Sequence, residues 1–369
     1  MSITIIPVSN ARTRRDFLHL PQSVYANDPA WVQPLAAVMK RMIDPSRNGY
    51  LKKGPHRLFV AYRDGRPAGR IMAGIDGVMN LRKGRRDGWF ALFEAEDDPG
   101  IARGLIDAAR DFLAAEGCDR MRGPVSPTGS EDFRGLLVQG HGSPPVLMDS
   151  YNPPYYAGLL EGCGLAKDYD WLAYRYFPRM PKNPRAVQYA QSRYGFRLDR
   201  LDLSRLEREI GDIKQIIDRS MPEWPDAVPP TLEEVRNMAR DLKSYADPDL
   251  IYIARADGEP IGFSVVMPDL NQALIHLHGR LFPTGWIRFL LWRRRIDALR
   301  FFALFVVPEW RGKGVTAAIF VRTFEVGSAK GYKWLEGSTI REENLPMRRD
   351  AERAGGELYK VYRIFACAL

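Results

Sequence analysis

Cysteine and histidine are scarce in this chain. Its 369 residues include three cysteines (Cys118, Cys163 and Cys367), none in CxxC spacing, and five histidines. A disulfide framework is excluded, and a structural zinc site is not expected, so metal chemistry is set aside. Long apolar runs are missing as well: residues 301–307 and 289–292 are the most apolar stretches, far short of the ~20 residues a bilayer-crossing helix needs. No transmembrane helix is expected. Residues 1–6 are too short for the apolar core of an export signal, and the nearest cations, Arg12, Arg14 and Arg15, follow that stretch instead of preceding it. The cytoplasm is therefore the expected compartment. Acidic residues are in the minority, 45 against 54 Lys and Arg, which gives a formal charge of +9. That excess favours polyanionic partners: nucleic acid, an anionic membrane surface or nucleotide phosphates. Apolar residues at 45% and charged residues at 27% are globular values. At roughly 100–200 residues per domain, the length suggests two domains.

What is present in quantity is internal repetition. Phe59-Val-Ala-Tyr-Arg-Asp-Gly-Arg-Pro-Ala-Gly69 aligns with Tyr252-Ile-Ala-Arg-Ala-Asp-Gly-Glu-Pro-Ile-Gly262, and both read as strand, Asp-Gly turn, strand. Phe90-Ala-Leu-Phe93 recurs as Phe302-Ala-Leu-Phe305. Each copy leads into apolar spacing of helical period: Ile101, Leu105, Ala108 and Phe112 in the first, Val315, Ala318, Ile319 and Phe324 in the second. Each predicted helix ends at a glycine, Gly117 or Gly331, and a short strand follows. The segment from Asn152 to Gly164 then resembles that from Asn344 to Gly355. Four ordered matches predict a tandem duplication. The boundary is expected near Pro178 to Pro184, where three prolines interrupt the pattern. The second half carries a private insertion around residues 279–300, the first around residues 126–151.

Val306-Val-Pro-Glu-Trp-Arg-Gly-Lys-Gly-Val-Thr316 carries the chemistry. Its small residues let backbone N–H groups approach a phosphate, the helix opening at Val315 aims its positive end there, and Arg311 and Lys313 add cationic charge. The first half has Ala95-Glu-Asp-Asp-Pro-Gly100 in the same place, an acidic turn that would repel a diphosphate. With this element order, the segment resembles the pyrophosphate loop of the GNAT superfamily of acyl-CoA-dependent N-acyltransferases, Gln/Arg-x-x-Gly-x-Gly/Ala, read here as Arg311, Gly314 and Thr316; threonine departs from the usual small residue. The resemblance implies an α/β fold with a mixed sheet: two tandem GNAT-like domains, residues 1–180 and 185–369, each with a central, mostly antiparallel sheet flanked by helices. It implies acyl-CoA as co-substrate, bound by Val306, Val307, Arg311, Gly312, Lys313, Gly314, Val315 and Thr316 of the second half, with a backbone N–H near Val306 and Val307 polarising the thioester carbonyl.

The acceptor amine must be neutral to attack, so a carboxylate or histidine should take its proton. Glu336, His276, His278, Glu131, Asp132 and His141 are the candidates. Many GNAT enzymes place a tyrosine after the asparagine of the last helix to protonate the departing thiolate. The second half has Asn344 but Ala351 at the matching position, whereas the first has Tyr155 and Tyr156 beside Asn152. Either tyrosine is a candidate acid, with core packing as its plain alternative.

The second insertion combines Trp286, Phe289, Leu290 and Trp292 with Arg288, Arg293, Arg294 and Arg295. That mixture suits the interface of an anionic bilayer, and residues 286–295 are the expected peripheral contact on its inner face. No nucleic-acid-binding module is recognisable, so nucleic acid is not an expected partner. Leu20-Pro21, Asp28-Pro-Ala-Trp-Val32, Tyr151-Asn-Pro-Pro-Tyr-Tyr156 and Gly279-Arg-Leu-Phe-Pro283 extend the likeness over nearly the whole chain. The pattern resembles a bacterial tandem-GNAT group that includes bacterial ceramide synthases, which join a fatty acyl-CoA to a sphingoid-base amine. The leading expectation is transfer of a long acyl chain to a lipid-like amine. The rivals are acylation of a soluble amine or amino acid, an aminoacyl-tRNA-dependent transferase, and a non-catalytic CoA or lipid sensor.

Overall fold

A computed structural model describes residues 2–129, 132–177, 184–221, 224–242 and 246–369. In chain order the first half runs β1 (Ile3–Pro7), α1 (Ala11–Val24), α2 (Ala36–Met42), β2 (His56–Arg63), β3 (Arg66–Ile75), α3 (Gly77–Lys83), β4 (Asp87–Ala95), α4 (Pro99–Ala115), β5 (Arg120–Gly123), β6 (Leu136–Gln139), α5 (Tyr156–Gly162) and β7 (Ala166–Tyr176). The second runs α6 (Pro184–Tyr194), β8 (Phe196–Arg200), α7 (Leu206–Ser220), α8 (Leu232–Leu242), β9 (Ile251–Ala256), β10 (Glu259–Pro268), α9 (Asn271–Leu274), α10 (Gly285–Arg293), β11 (Ala298–Val306), α11 (Val315–Ala329), β12 (Trp334–Arg341), α12 (Leu345–Arg353) and β13 (Glu357–Ala368). The expected boundary near Pro178 to Pro184 falls largely on residues 178–183, outside the described residues.

The chain forms two compact units that do not follow chain order. The first comprises Met1–Leu172, Leu270–Arg295 and Tyr359–Leu369; the second comprises Ala173–Asp269 and Ile296–Leu358. The insertion with α10 thus folds with the first unit, as does most of the last strand.

In the first unit, β1 to β4 are antiparallel neighbours in order, β5 lies parallel to β4, and β13 runs antiparallel to β5. In the second, β8 to β11 are antiparallel neighbours and β12 lies parallel to β11. The two predicted Asp-Gly turns close the β2–β3 and β9–β10 hairpins. Asp64 and Gly65 have φ of 48° and 81°, and Asp257 and Gly258 have 50° and 86°, the left-handed pair a two-residue hairpin requires. Both FALF strands carry a bulge: pairing skips from Arg70 to Met72 opposite Glu94 and Ala91, and an extra residue sits between Phe301 and Ala303 opposite Val266 and Val265.

Each sheet buries its helix as the apolar spacing predicts. Ile101, Leu105 and Phe112 of α4 join Phe59, Ile71, Phe90 and Phe93 in the first core. Val315, Ala318 and Ile319 of α11 are buried in the second. Each large side chain so removed from water contributes roughly 1.5–3 kcal/mol. What remains distinct is the loop feeding each helix.

Candidate functional site

The two equivalent helix N-termini are built in opposite ways. The first-turn N–H groups of a helix have no intrahelical acceptor and carry a partial positive charge. In α4 the Asp98 carboxylate accepts from the Gly100 and Ile101 amides at 2.6 and 3.3 Å and is ion-paired to Arg63. An anion from the chain itself already fills that position. In α11 the N-cap is Gly314, and among the described residues no side chain caps the first turn. Instead Gly312 and Gly314 adopt φ of 74° and 85°. Lys313 lies over the Trp310 ring at 4.7 Å, and Arg311 Nε donates to the Val306 carbonyl at 3.3 Å. Uncapped first-turn amides beside two cations are the groups that favour an anionic oxygen cluster at a helix N-terminus. Thr316 is half-buried in the first turn, and Val315 anchors the helix in the core.

Behind this loop, β11 pairs with β12 over Ala298–Phe301, and then continues to Val306 along β10. Ala303, Leu304 and Phe305 are half-buried there. Phe305 stacks on Phe263 at 5.2 Å and on Trp224 at 5.2 Å, forming an apolar wall beside the loop. The Val307 amide donates to the Ile261 carbonyl at 3.0 Å, so a thioester carbonyl polarised at this strand end needs a different amide.

The predicted proton-transfer groups divide between the units. Glu336 and Asn344 belong to the second. Glu336 is fully buried on β12, directly across from Arg300, itself 1% exposed. Opposite charges at such a position offset each other's desolvation. Asn344 caps α12, its Oδ1 accepting from the Met347 amide at 3.2 Å. Its first-half counterpart, Asn152, is buried and bonds both the N–H and the carbonyl of Leu137, so the two asparagines do different work.

Tyr155 and Tyr156 belong to the first unit, and both hydroxyls are engaged. Tyr155 donates to the Ala95 carbonyl at 2.9 Å; Tyr156 donates to Glu94 at 2.8 Å and accepts from the Ala95 amide at 2.9 Å. Glu94 also accepts from Tyr25 at 2.8 Å and pairs with Arg70 at 3.4 Å. Burial raises the Glu94 carboxyl while Arg70 opposes that shift. The end of β4 in the first unit is thus filled by the unit's own tyrosines.

Of the other candidates, His276 stacks on Trp292 at 3.5 Å, and burial lowers its pKa. Burial also lowers that of His141. Asp132 accepts from Ser126 and Thr128 at 2.7 and 2.6 Å. His278 is exposed, with φ of 47°. Glu131 lies outside the described residues. All four described groups belong to the first unit, whereas the cationic loop belongs to the second.

One titratable group was missed by the sequence reading. Asp350 on α12, the residue before Ala351, is half-buried, and burial raises its carboxyl above the ordinary range against the opposing pull of Arg353. It lies close enough to Tyr176 to raise that hydroxyl, whose own burial is the larger cause. Tyr176 packs where a Cβ on Gly337 or Gly356 would come within 2.8 or 2.7 Å of its ring. The signal was only a carboxylate adjacent to the position of a missing tyrosine.

The aromatic insertion divides by face. Gly285 is the sole buried residue of α10; Phe289 and Trp292 are half-buried, while Trp286, Ile287, Leu290 and Leu291 are exposed by 45–62%. Positions 286, 287, 290 and 291 form one outward stripe, flanked by exposed Arg288 and Arg293. The sequence grouping of Trp286 with Phe289 and Trp292 does not hold, since Trp292 is occupied by His276.

No family model matches the chain. It is 31% identical over 381 residues to the bacterial ceramide synthase of Caulobacter vibrioides (strain NA1000 / CB15N), covering 100% of this chain and 98% of that relative. It is 29% identical over 374 residues to the protein YghO of Escherichia coli (strain K12), covering 96% and 93% of the two chains. Among solved structures, a tandem GNAT protein from the clavulanic acid biosynthesis pathway superposes with a TM-score of 0.58 at 13% identity, covering 100% of this chain and 98% of that one. That last likeness is one of fold.

Proposed function

Since the chain belongs to the tandem GNAT family that includes bacterial ceramide synthases, we propose that it moves a long acyl chain from coenzyme A to the primary amine of a lipid-like acceptor, as a ceramide synthase would with a sphingoid base. The observation that carries this reading is the contrast between the two helix N-termini: Asp98 closes one with a carboxylate, and Gly314 leaves the other open beside Arg311 and Lys313. The diphosphate belongs at residues 311–316. The acyl thioester then lies toward the half-buried end of β11, where Phe305, Phe263 and Trp224 favour an apolar chain.

In the reaction the neutral amine attacks the thioester carbonyl, a C–N bond forms as the C–S bond breaks, and the ammonium proton leaves while the thiolate gains one. The protein's largest contribution is positioning. Asp350 is assigned the proton exchange, because it stands on the helix where the family resemblance places a tyrosine and burial raises its carboxyl above the ordinary range. The exposed apolar stripe of α10 with its flanking arginines is assigned to an anionic bilayer, which supplies the acceptor.

Gly312→Asn tests the diphosphate seat. A Cβ at Gly312 meets nothing within 4 Å, and asparagine tolerates positive φ. The variant should fold and lose acyl-CoA affinity at least tenfold by calorimetry. A folded variant with unchanged affinity contradicts the seat.

A further inference from the structure

We propose that the first unit holds a separate binding cavity for a long-chain amine, which takes the ammonium group at Asp28 and leads the alkyl chain out along α10. This rests on the reading that the acceptor is a lipid-like amine. The cavity measures about 950 Å³, within the range of small-molecule sites, and Tyr25, Asp28, Trp31, Arg280, Phe282 and Arg288 line it. All six belong to the first unit, though they come from segments more than 240 residues apart in sequence.

Close packing holds the two walls together. The Ala36 amide donates to the Gly279 carbonyl at 3.2 Å, and a Cβ on Gly279 would come within 2.7 Å of the Gln33 amide nitrogen. A Cβ on Gly285 would lie 2.1 Å from the Arg280 carbonyl, so the loop before α10 closes tightly on itself. On the opposite wall, Tyr25 and Trp31 stack at 4.7 Å with 9° between their planes. The Tyr25 hydroxyl donates to Glu94, which fixes the ring from behind.

Asp28 is the carboxylate of this cavity. One of its oxygens accepts from the Tyr151 hydroxyl at 2.8 Å and the other from the Ala30 amide at 2.9 Å. A carboxylate offers about four acceptor positions, and these bonds use two. An ammonium placed there gains charge-assisted hydrogen bonds from the oxygens and attraction to the adjacent aromatic faces. A fatty carboxylate would meet like charge at the same point. Arg280 and Arg288 also line the cavity, but both are exposed, so solvent screens their charge from an ammonium at Asp28. Phe282 is 75% exposed and stands in the loop that leads into α10, whose outward positions Trp286, Ile287, Leu290 and Leu291 are apolar and exposed, so this is the side on which the alkyl chain is placed.

Calorimetric titration of the full chain with dodecylamine, dodecanoate and propylamine, without any acyl donor, tests the site. Dodecylamine should bind at least tenfold more tightly than either control. Asp28→Asn should lose at least tenfold of that affinity, Trp31→Leu should lose affinity as well, and Arg82→Gln, an exposed position of α3 outside the cavity, should retain it. Equal binding of dodecanoate, or unchanged dodecylamine affinity in both the Asp28 and Trp31 variants, overturns the proposal. Because the titration contains no acyl-CoA, an absence of acyl transfer with this binding pattern intact counts against the transferase reading alone. Transfer that survives while the pattern fails counts against the cavity alone.

Discussion

At the scale of single residues, Gly312 and Gly314 show how much a motif can say. Both are needed by the chain path, with φ of 74° and 85°. A Cβ on Gly314, however, would lie 2.8 Å from the Ala190 Cβ of α6, while one on Gly312 faces open space. Substituting Gly314 therefore mixes a packing clash with any effect on ligand, and Gly312 is the clean probe. The spacing Arg311, Gly314, Thr316 was legible in sequence; the α6 contact was not, because a helix's periodicity does not say which neighbour covers it. Asp350 is a second case. Its folded pKa is raised by burial, so its favourable contribution is present below the unfolded carboxyl pKa and is lost as pH rises through the folded value. Asp350→Asn should therefore raise the melting temperature at pH 7, leave it nearly unchanged at pH 3, and lower kcat at least tenfold without weakening acyl-CoA binding. Unaltered turnover removes Asp350 from the mechanism.

Among elements, α4 and α11 make the functional asymmetry physical. The acidic turn at Ala95–Gly100 was readable as hostile to a diphosphate, but that Asp98 itself occupies the helix end emerges only from its bonds to Gly100 and Ile101. Removing a capping carboxylate costs about 0.5–2 kcal/mol. Asp98→Ala should lower stability by about 1 kcal/mol in urea unfolding, and both it and the parent chain should bind one acyl-CoA. Two acyl-CoA molecules on the parent chain, or lost binding in the variant, contradict the assignment. For α10, composition identified an aromatic and basic segment, but only its burial pattern separates the outward stripe at 286, 287, 290 and 291 from the inward Phe289 and Trp292. Each arginine near an anionic surface adds about 1 kcal/mol, and that gain is screened by salt. Vesicles containing anionic lipid should bind the chain at low salt and release it as salt rises. Replacing Arg293, Arg294 and Arg295 with Gln should weaken binding at least tenfold. Equal binding to neutral vesicles contradicts the electrostatic part.

For the whole molecule, repetition in sequence showed the order of elements well. Paired Asp-Gly hairpins, paired FALF strands and paired helices all stand where the repeat places them. Chain order did not reveal the spatial partition, in which residues 270–295 and 359–369 join the first unit. Long-range strand pairing leaves no local signature: β13 meets β5 across more than 240 residues, through backbone bonds that any side chains could accompany. The acceptor is obscure for a related reason, since the cavity at Asp28 and Trp31 takes its other wall from the 280s insertion, which periodicity assigns to the opposite half.

The central claim, that this chain forms an amide between a long acyl group and a lipid-like amine, is tested most directly by mass spectrometry on the purified protein. Hexadecanoyl-CoA would be supplied with a long-chain amine and a short polar amine in competition, in the presence of anionic vesicles. The account predicts the N-hexadecanoyl product of the long-chain amine, with one free thiol released per amide formed, and at least tenfold less product in Gly312→Asn. Exclusive acylation of the short polar amine, or no amide with either acceptor while acyl-CoA remains bound, would contradict it.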